Sequence, residues 1–368
     1  MDTIPFNLIL LAVDITLLWG LALWGNKRLW FCAAIIDLVM IKGVSLLFRL
    51  HYGQNVVDGV CFHFAPFLII SGIILYFRRF RKTGILSMIP GLLLLILGID
   101  CVFYEPYAVV VERYTVESSK VEKPIRVVFV ADTQTDKISD YELKVFHLMN
   151  SQDADIVILG GDYIQFYGKT GKYEDVPALY KRFRDSLAAE GFDPPLGAYA
   201  IYGNNESGEQ AFQDMFRDTG IQAISKTKTI DLGPMVLTIL SLGESALSKY
   251  GKGARPKVFL ETEEEKAKFH LMVGHVPAYV TGPSDADLML AGHTHGGQII
   301  IPFFGPIMTG VPKNIPFPRK WAVGMHELPN GSRFLVTRGS GMERGWAPEV
   351  RLFCKPEISV IDIVPNNK

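Results

Sequence analysis

Two kinds of hydrophobic pattern divide the chain near residue 105. Before that point, long apolar runs follow one another with short polar loops between them. Each run is close to the ~20 residues that an α-helix needs to cross the hydrocarbon core of a bilayer. Because the runs leave almost no polar face, we favour membrane spans over a buried helical domain, and we predict a four-helix transmembrane anchor over residues 1–105. The predicted spans are Ile4–Gly25, Trp30–Phe48, Val60–Phe77 and Gly84–Phe103.

After residue 105 the apolar runs are short, and most of them end in polar residues. Continuous Val/Ile/Leu runs of this length are typical of strands that are buried on both faces, and helical patterns separate several of them. Functional sites in layered α/β folds collect at the carboxyl ends of strands. Carboxylates, amides and imidazoles at successive strand ends therefore indicate a site rather than ordinary turns. These runs are "RVVFVADTQ" with Asp132 and Gln134, "DIVILGGD" with Asp162, "LGAYAIYGNNE" with Asn204 and Asn205, "FHLMVGHVP" with His275, and "ADLMLAGHTH" with His293 and His295.

Three later runs, "VLTILSLGES", "RFLVTRGSG" and "EISVIDIV", are predicted to be strands of a second sheet. Two sheets with helices on their outer faces make a four-layer α-β-β-α sandwich. We assign this α/β sandwich to residues 106–368, where it follows the four transmembrane helices.

The charge pattern predicts how the chain is oriented in the membrane. The net charge of −1 gives no electrostatic case for nucleic acid as a partner. Basic residues concentrate in the loops after the first and third spans, at Lys27–Arg28 and Arg78–Lys82. The positive-inside rule places these loops in the cytoplasm, so we expect the catalytic domain on the extracytoplasmic side of the cell membrane.

Few other features constrain the two regions. Only Cys354 lies in the predicted soluble domain, which excludes a disulfide within it. Asp14, Asp37 and Lys42 lie inside predicted spans, where ionisable groups are costly and often functional. The alternative is that these three side chains pair with one another inside the bundle.

The polar strand ends resemble a known series of motifs. Asp-x-Gln, Gly-Asp, Gly-Asn-Asn-Glu, Gly-His and Gly-His-x-His, in this order, are similar to the motifs of the calcineurin-like metallophosphoesterase superfamily. The resemblance covers about residues 109–364. "GHTHGGQ" and "TRGSGMERGWAPEVRLFCKPEI" are similar to the membrane-associated bacterial branch of that superfamily.

The resemblance implies a site for two divalent metal ions, with Mn favoured and Fe or Zn as alternatives. Asp162 would bridge the two ions, because one carboxylate can lie between cations ~3.5–4 Å apart. The glycines around His293 and His295 would let the backbone approach the metals and a substrate phosphate. The implied ligands are Asp132, Gln134, Asp162 and His295 for one metal, and Asp162, Asn204, His275 and His293 for the other.

The implied activity is hydrolysis of a phosphodiester or pyrophosphate by a hydroxide held between the metals. Asp162, Asn205 and His293 would be the catalytic residues. Asn205, Arg338 and Arg344 would contact the substrate, although simple surface solvation explains the two arginines equally well. The transmembrane anchor favours a phosphorylated lipid or another cell-envelope molecule as the substrate, presented at the membrane.

Two positions depart from the pattern of the superfamily. Gln134 stands where histidine is common; its amide oxygen is a neutral ligand, so this position either prefers a harder ion such as Mn or no longer binds metal. Asn205 stands where a histidine usually contacts the substrate and protonates the leaving oxygen, which an amide cannot do. The superfamily's UDP-diacylglucosamine pyrophosphatases also lack that histidine. These departures support an alternative function, a non-catalytic membrane receptor or scaffold descended from a metallophosphoesterase.

Overall fold

The computed structural model describes residues 3–47, 52–165, 176–247, 259–313, 315–344 and 347–366. The chain forms two compact units. The first contains Met1–Tyr104 together with Glu343–Val350, and the second contains Glu105–Met342 together with Arg351–Lys368.

The first unit contains the four apolar helices that the sequence predicts. α1 is Thr3–Trp24 and α2 is Lys27–Leu47. The third span begins as α3 (Tyr52–Gly59), passes through a π-helical turn at Val60–Phe64 and ends as α4 (Ala65–Phe77); the fourth is α5 (Arg81–Ile99) with a π-helical end at Asp100–Tyr104. By length and apolar composition all four could cross a membrane.

Small residues let α4 and α5 pack closely. A Cβ added at Gly72 would lie 2.7 Å from the carbonyl oxygen of Gly84, and one at Gly91 would lie 2.8 Å from that of Ala65. Close backbone packing of this kind is a main source of stability between apolar helices where they cross a membrane. Large apolar side chains are exposed on the helices of this unit, including Leu8 and Trp19 on α1 and Leu86 on α5.

The second unit is built on two six-stranded mixed sheets. The first sheet has the strand order β1-β14-β2-β3-β4-β5, and the second has the order β12-β13-β9-β8-β7-β6. The strands of the first sheet are β1 (Val110–Ser118), β2 (Ile125–Val130), β3 (Ile156–Leu159), β4 (Ala198–Ile201), β5 (Ile221–Ile224) and β14 (Glu357–Pro365). Those of the second sheet are β6 (Lys228–Asp231), β7 (Met235–Ile239), β8 (Phe269–Val273), β9 (Leu288–Ala291), β12 (Gly324–Glu327) and β13 (Arg333–Val336), and a short hairpin of β10 (Ile300–Ile301) and β11 (Gly305–Pro306) lies apart.

One strand lies in a different sheet from the one predicted. "EISVIDIV" forms β14 in the first sheet, parallel to β1 and antiparallel to β2, whereas β7 and β13 do lie in the second sheet. Its buried apolar pattern fits either sheet, so only the pairing with β1 and β2 determines its place.

Alternation along the strands builds the layered core. In β2, Val127 and Phe129 face a cluster that both sheets share, while Val128 and Val130 face helices on the outer side of the first sheet. A third apolar cluster covers the outer face of the second sheet. The predicted α-β-β-α sandwich is therefore confirmed. Its helices are α6 (Asp140–Asn150), α7 (Val176–Glu190), α8 (Glu209–Met215), α9 (Leu242–Ser245) and α10 (Glu263–Ala267).

Candidate metal centre

The predicted ligands lie just beyond the carboxyl ends of β2, β3, β4, β8 and β9, where both sheets contribute to one site. The local backbone there is unusual, because left-handed φ values are rare outside glycine and cost about 1–3 kcal/mol each where they are strained. Such strain persists when the surrounding structure enforces it, and it clusters at functional sites. Five of the seven predicted ligands have a positive φ: Asp132 (54°), Gln134 (36°), Asp162 (59°), His293 (69°) and His295 (51°).

Asp162 lies at the centre of the site. Its carboxylate groups with His275 and His293, and the potential ligand atoms of the three residues lie within 4.8 Å of one another. The ring of His275 is oriented by a hydrogen bond of 2.8 Å between Nδ1 and the carbonyl oxygen of Gly160. This bond turns Nε2 toward Asp162 Oδ2 at 3.3 Å and toward Asn204 Oδ1 at 3.1 Å. The implied second ligand set, Asp162, Asn204, His275 and His293, is thus brought together.

Asp132 and His295 form the other half of the site. Asp132 Oδ1 lies 3.8 Å from His295 Nε2, and both side chains are buried. Among the described residues neither of these two atoms has a hydrogen-bond partner. An unpartnered carboxylate oxygen and imidazole nitrogen are expensive to bury, and a cation bound between them would remove that cost. The donor set therefore fits a divalent metal.

The electrostatics of this half also fit a cation. Burial raises the pKa of Asp132 to about 7, although His275 and the backbone amide of His293 act against the rise. Burial, assisted by the positive charge of Arg351, holds the pKa of His295 well below its usual value. His295 is therefore a neutral imidazole, which is the form that binds metals.

Asp162 and His275 form a buried ion pair. Burial acts to raise the pKa of Asp162, but the charge and hydrogen bond of His275 outweigh it and the pKa lies below its usual value. Burial likewise acts to lower the pKa of His275, and Asp162 raises it to about 10. A proton on His275 thus supplies the positive charge that a metal ion would supply when bound.

The two residues that depart from the superfamily pattern both contact Asp162. Gln134 donates from Nε2 to Asp162 Oδ2 at 3.0 Å, and Asn205 donates from Nδ2 to the same oxygen at 2.9 Å. The backbone amide of Asn205 also donates to Asp162 Oδ1, at 2.8 Å. In this arrangement both side-chain amides hold the central carboxylate in place.

Glycines allow the ligand segments to approach one another. A Cβ at Gly292 would lie 2.6 Å from Asp132 Oδ2, which is too close. Because Gly292 has no Cβ, this oxygen can accept a hydrogen bond of 2.8 Å from the backbone amide of His293. Gly296 and Gly297 have φ values of 61° and 74°, so the turn after His295 suits residues without a side chain. These glycines make room for neighbouring ligand segments.

The two arginines that were predicted to contact phosphate lie in different surroundings. Arg338 donates to Glu112 Oε1 at 2.8 Å and pairs with Glu357 Oε2 at 2.9 Å, so its charge is compensated inside the protein. Arg344 lies in the segment Glu343–Val350, which belongs to the unit of the four apolar helices. Substrate contact by either arginine stays a prediction.

Arg351 was not among the predicted site residues, and it is completely buried. Its guanidinium donates to the carbonyl oxygens of Arg338 (2.7 Å), Gly339 (3.3 Å) and Cys354 (2.8 Å), and also to that of Gly341. The amides of Ser340 and Gly341 in turn donate to the carbonyl oxygens of Ala131 and Asp132. Arg351 therefore secures the loop that packs on Asp132. Arg351 lies inside the quoted segment "TRGSGMERGWAPEVRLFCKPEI", but nothing in that segment shows its role, because most of its partners are backbone carbonyls brought together only by folding.

We expect Arg351→Met to lower the free energy of unfolding by about 3 kcal/mol or more, because several buried carbonyl groups lose their donor and each unmet group costs ~1–3 kcal/mol. Chemical denaturation followed by circular dichroism measures the change. Arg217→Met is the matched control, since its exposed pair with Asp214 contributes at most ~1 kcal/mol. Equal stability of the two variants would mean that Arg351 does not hold the loop.

Comparison with known proteins agrees with the site. The family model of calcineurin-like phosphoesterases matches residues 125–297, which include every predicted metal ligand. The chain is 26% identical over 259 residues to an uncharacterized metallophosphoesterase of Campylobacter jejuni, covering 69% of this chain and 63% of that relative. It is 25% identical over 287 residues to the uncharacterized metallophosphoesterase YkuE of Bacillus subtilis, covering 72% of this chain and 89% of the relative. It is 24% identical over 252 residues to the phosphodiesterase YaeI of Escherichia coli, covering 66% of this chain and 83% of the relative.

A crystal structure of a dimetal phosphatase from Danio rerio also matches, with a TM-score of 0.36 and 10% identity over 60% of this chain and 88% of that chain. The sequence matches, together with the strand-end ligands described above, establish the class. Residues 125–297 form a calcineurin-like phosphoesterase domain, and the chain is similar to bacterial metallophosphoesterases, which confirms the superfamily resemblance predicted from the sequence.

Proposed function

We propose that this chain is a membrane-anchored hydrolase that uses two divalent metal ions to cleave a phosphodiester or pyrophosphate of a lipid-linked or cell-envelope substrate. The observation that carries the proposal is the pair of buried, unpartnered ligand atoms, Asp132 Oδ1 and His295 Nε2, beside the group of Asp162, His275 and His293. When bound, the metals would activate water and neutralise charge on the phosphoryl oxygens. Manganese is our preferred ion, because this donor set is rich in oxygen as well as imidazole.

The residues of the chain have distinct roles in this proposal. Asp162 would bridge the two ions, and His293 would ligate one of them beside the substrate. Gln134 and Asn205 would act on Asp162 by holding its carboxylate in position, as their hydrogen bonds to it support. A role for Gln134 as a direct ligand through its amide oxygen stays a prediction.

Asn205 favours substrates whose leaving group needs no proton. Its side chain has no titratable proton at neutral pH, so it cannot act as a general acid. A nucleoside monophosphate released from a pyrophosphate leaves as a stable anion, and an aryl oxide leaves nearly as well. We therefore favour a pyrophosphate over an alkyl diester as the substrate.

A hairpin beside the site supports a substrate at the membrane surface. We call residues 299–307, which contain β10 and β11, the aromatic hairpin. Its Ile301, Phe303 and Phe304 are exposed, with Phe303 at the tip and in the left-handed region. The hairpin follows the turn after His295 and precedes Gly310, whose carbonyl oxygen lies 3.2 Å from His293 Nε2. Exposed apolar groups at this position would contact a bilayer and bring the site to lipid head groups.

We expect the double substitution Phe303→Ser/Phe304→Ser to raise KM for a lipid-linked aryl phosphodiester by ~10-fold or more, because burying one phenylalanine contributes ~1.5–3 kcal/mol. The substrate is presented in the nanodisc that holds the full chain. Hydrolysis of soluble bis-p-nitrophenyl phosphate should not change. Phe259→Ser, at an exposed phenylalanine outside the hairpin, is the control. A KM unchanged in the double variant would remove the hairpin from the proposal.

The side of the membrane remains the one that the basic loops predict, with the catalytic domain outside the cytoplasm. A reporter fused after Lys368 tests this directly. Activity of a reporter that functions only in the cytoplasm would reverse the orientation.

Hydrolysis of bis-p-nitrophenyl phosphate by the purified full chain tests the proposed activity. We expect turnover with added Mn²⁺, loss of turnover with a chelator, and recovery when Mn²⁺ is restored. His295→Ala should be inactive, while His147→Ala, at an exposed histidine that contacts Glu190, should retain the rate. Lack of turnover with Mn²⁺, Fe²⁺ and Zn²⁺ alike would favour the non-catalytic alternative.

A further inference from the structure

Three ionisable side chains from three different spans lie deep inside the membrane-helix unit. Asp14 is the twelfth of the 22 residues of α1, and Asp37 is the eleventh of the 21 residues of α2. His63 lies in the π-helical turn within the third span. Helices of this length cross the hydrocarbon core, so residues at their middle lie near its centre. All three side chains are buried, and Asp37 is 0% exposed.

His63 is fixed between two partners. Its Nδ1 lies 3.0 Å from Asp14 Oδ2, and its Nε2 lies 3.0 Å from Asn7 Oδ1. An amide oxygen only accepts, so this arrangement places a hydrogen on Nε2. The short contact between Nδ1 and Asp14 then requires a second proton, carried by either atom. In both cases Asp14 and His63 together are neutral.

Asp37 has no such compensation. Its carboxyl lies next to that of Asp14, where a hydrogen bond between the two carboxyls requires a proton on one of them. Among the described residues no other group donates a hydrogen bond to Asp37 or to Asp14 Oδ1. The predicted alternative, in which Lys42 pairs with these acids, finds no support because Lys42 is exposed on α2.

The rest of the third span and the fourth span do not supply a positive charge that would pair with the carboxylate of Asp37. Asp58, the remaining acid of the third span, accepts a hydrogen bond from Gln54. The fourth span has no ionisable residue from Gly84 to Ile99, and Asp100 and Cys101 lie at its end. A bare carboxylate at the centre of a bilayer costs ~2.5–3.5 kcal/mol or more.

From this arrangement we infer that Asp14, Asp37 and His63 form a proton-binding site inside the membrane. Neutrality requires two protons in addition to the one on Nε2: one shared by Asp14 and His63, and one on Asp37. Asp37 holds the second of these protons, and among the described residues only the neighbouring carboxyl of Asp14 shares it. The π-helical turn that carries His63 agrees with this, since such turns are frequent at functional sites. The ligand is a proton, and the activity is proton uptake and release within the bundle.

Infrared spectroscopy of the full chain in nanodiscs tests the site, because a carboxylic acid and a carboxylate have different carbonyl bands. At about pH 7, some three units above the ~3.9 at which an unperturbed aspartate titrates, we expect a carboxylic-acid band that shifts on transfer to D2O. The difference spectrum between the natural protein and Asp37→Asn should contain this band, and the difference spectrum with Asp58→Asn should not. If Asp37→Asn does not fold, Asp37→Glu, which keeps a carboxyl group, should shift the band instead of removing it.

Two results would overturn the inference. One is a spectrum with no carboxylic-acid band between about pH 5 and pH 9, or a band that Asp37→Asn leaves intact. The other is loss of the band when Na⁺ or Li⁺ replaces a large organic cation at constant pH, which would make this a metal-cation site. Neither result depends on a substrate, so the outcome is separate from that of the proposed hydrolase activity.

Discussion

Asp162→Asn is expected to abolish hydrolysis and metal binding while leaving the fold intact. The carboxylate of Asp162 is buried, and it accepts hydrogen bonds from Gln134 and Asn205 while it pairs with His275. Asparagine has the same shape, but it lacks the negative charge and turns an NH2 group toward other donors. Since this carboxylate is the proposed bridge, both metals should be lost and the rate should fall by at least ~10³-fold, more than a single electrostatic contact usually contributes.

The fold should survive, because the local backbone does not depend on the carboxylate charge. The backbone amide of Gln134 donates to the carbonyl oxygen of Asp162, and asparagine tolerates the left-handed conformation found there. Asp153→Asn is the matched control, since Asp153 is an exposed aspartate that also has a positive φ, 50°. Steady-state rates, bound metal and circular dichroism compare the two variants. An Asp162→Asn protein with both metals and normal turnover would remove Asp162 from the centre of the mechanism.

His293→Ala should also abolish activity, through loss of a ligand to one metal.

Asn205→His is expected to accelerate the cleavage of substrates with poor leaving groups. A positioned general acid contributes ~10²–10⁴-fold where proton transfer limits the rate. In the natural protein the rate should fall steeply as the pKa of the leaving group rises, so that pyrophosphates and aryl diesters are cleaved and alkyl diesters hardly at all. The substitution should help the alkyl diesters most and change the others little.

Asn205→Ala separates this effect from simple support of Asp162. Alanine keeps the backbone hydrogen bond to Asp162 Oδ1 and loses only the amide contact to Oδ2. We expect Asn205→Ala to slow all substrates by a similar factor, whereas Asn205→His changes their order. Rates for a series of leaving groups, measured with all three proteins, decide the matter. Equal gains for every substrate in Asn205→His, or a flat dependence in the natural protein, would show that Asn205 has another purpose.

The sequence predicted the layers, and it predicted which polar strand ends meet at the candidate site, because both depend on local pattern. Continuous apolar runs require burial on both faces, and the polar residue after each run has to lie at a sheet edge. The place of β14 was not predictable in this way, because its apolar pattern fits either sheet and only its pairing with β1 and β2 assigns it to the first.

Side-chain partners were harder to predict than positions. Contact between Arg338 and phosphate stays a prediction, but nothing local in the sequence shows that Glu112 and Glu357 compensate the charge of Arg338 from distant parts of the chain. Arg351 has mostly backbone partners, so no pair of side-chain types in the sequence indicates its role. Five of the predicted ligands have a positive φ, which packing likewise enforces, although aspartate and histidine adopt such angles more often than most residues.

The number of metal ions bound to the purified full chain tests the central claim most directly. Elemental analysis after loading with Mn²⁺ should find two ions per chain. His295→Ala should retain fewer than the natural protein, and Asp162→Asn should retain none, while His147→Ala should match the natural protein. Two ions in the natural protein, with this order among the variants, is the result that the dinuclear site predicts. No bound metal in the natural protein, or the same content in all four proteins, would contradict it.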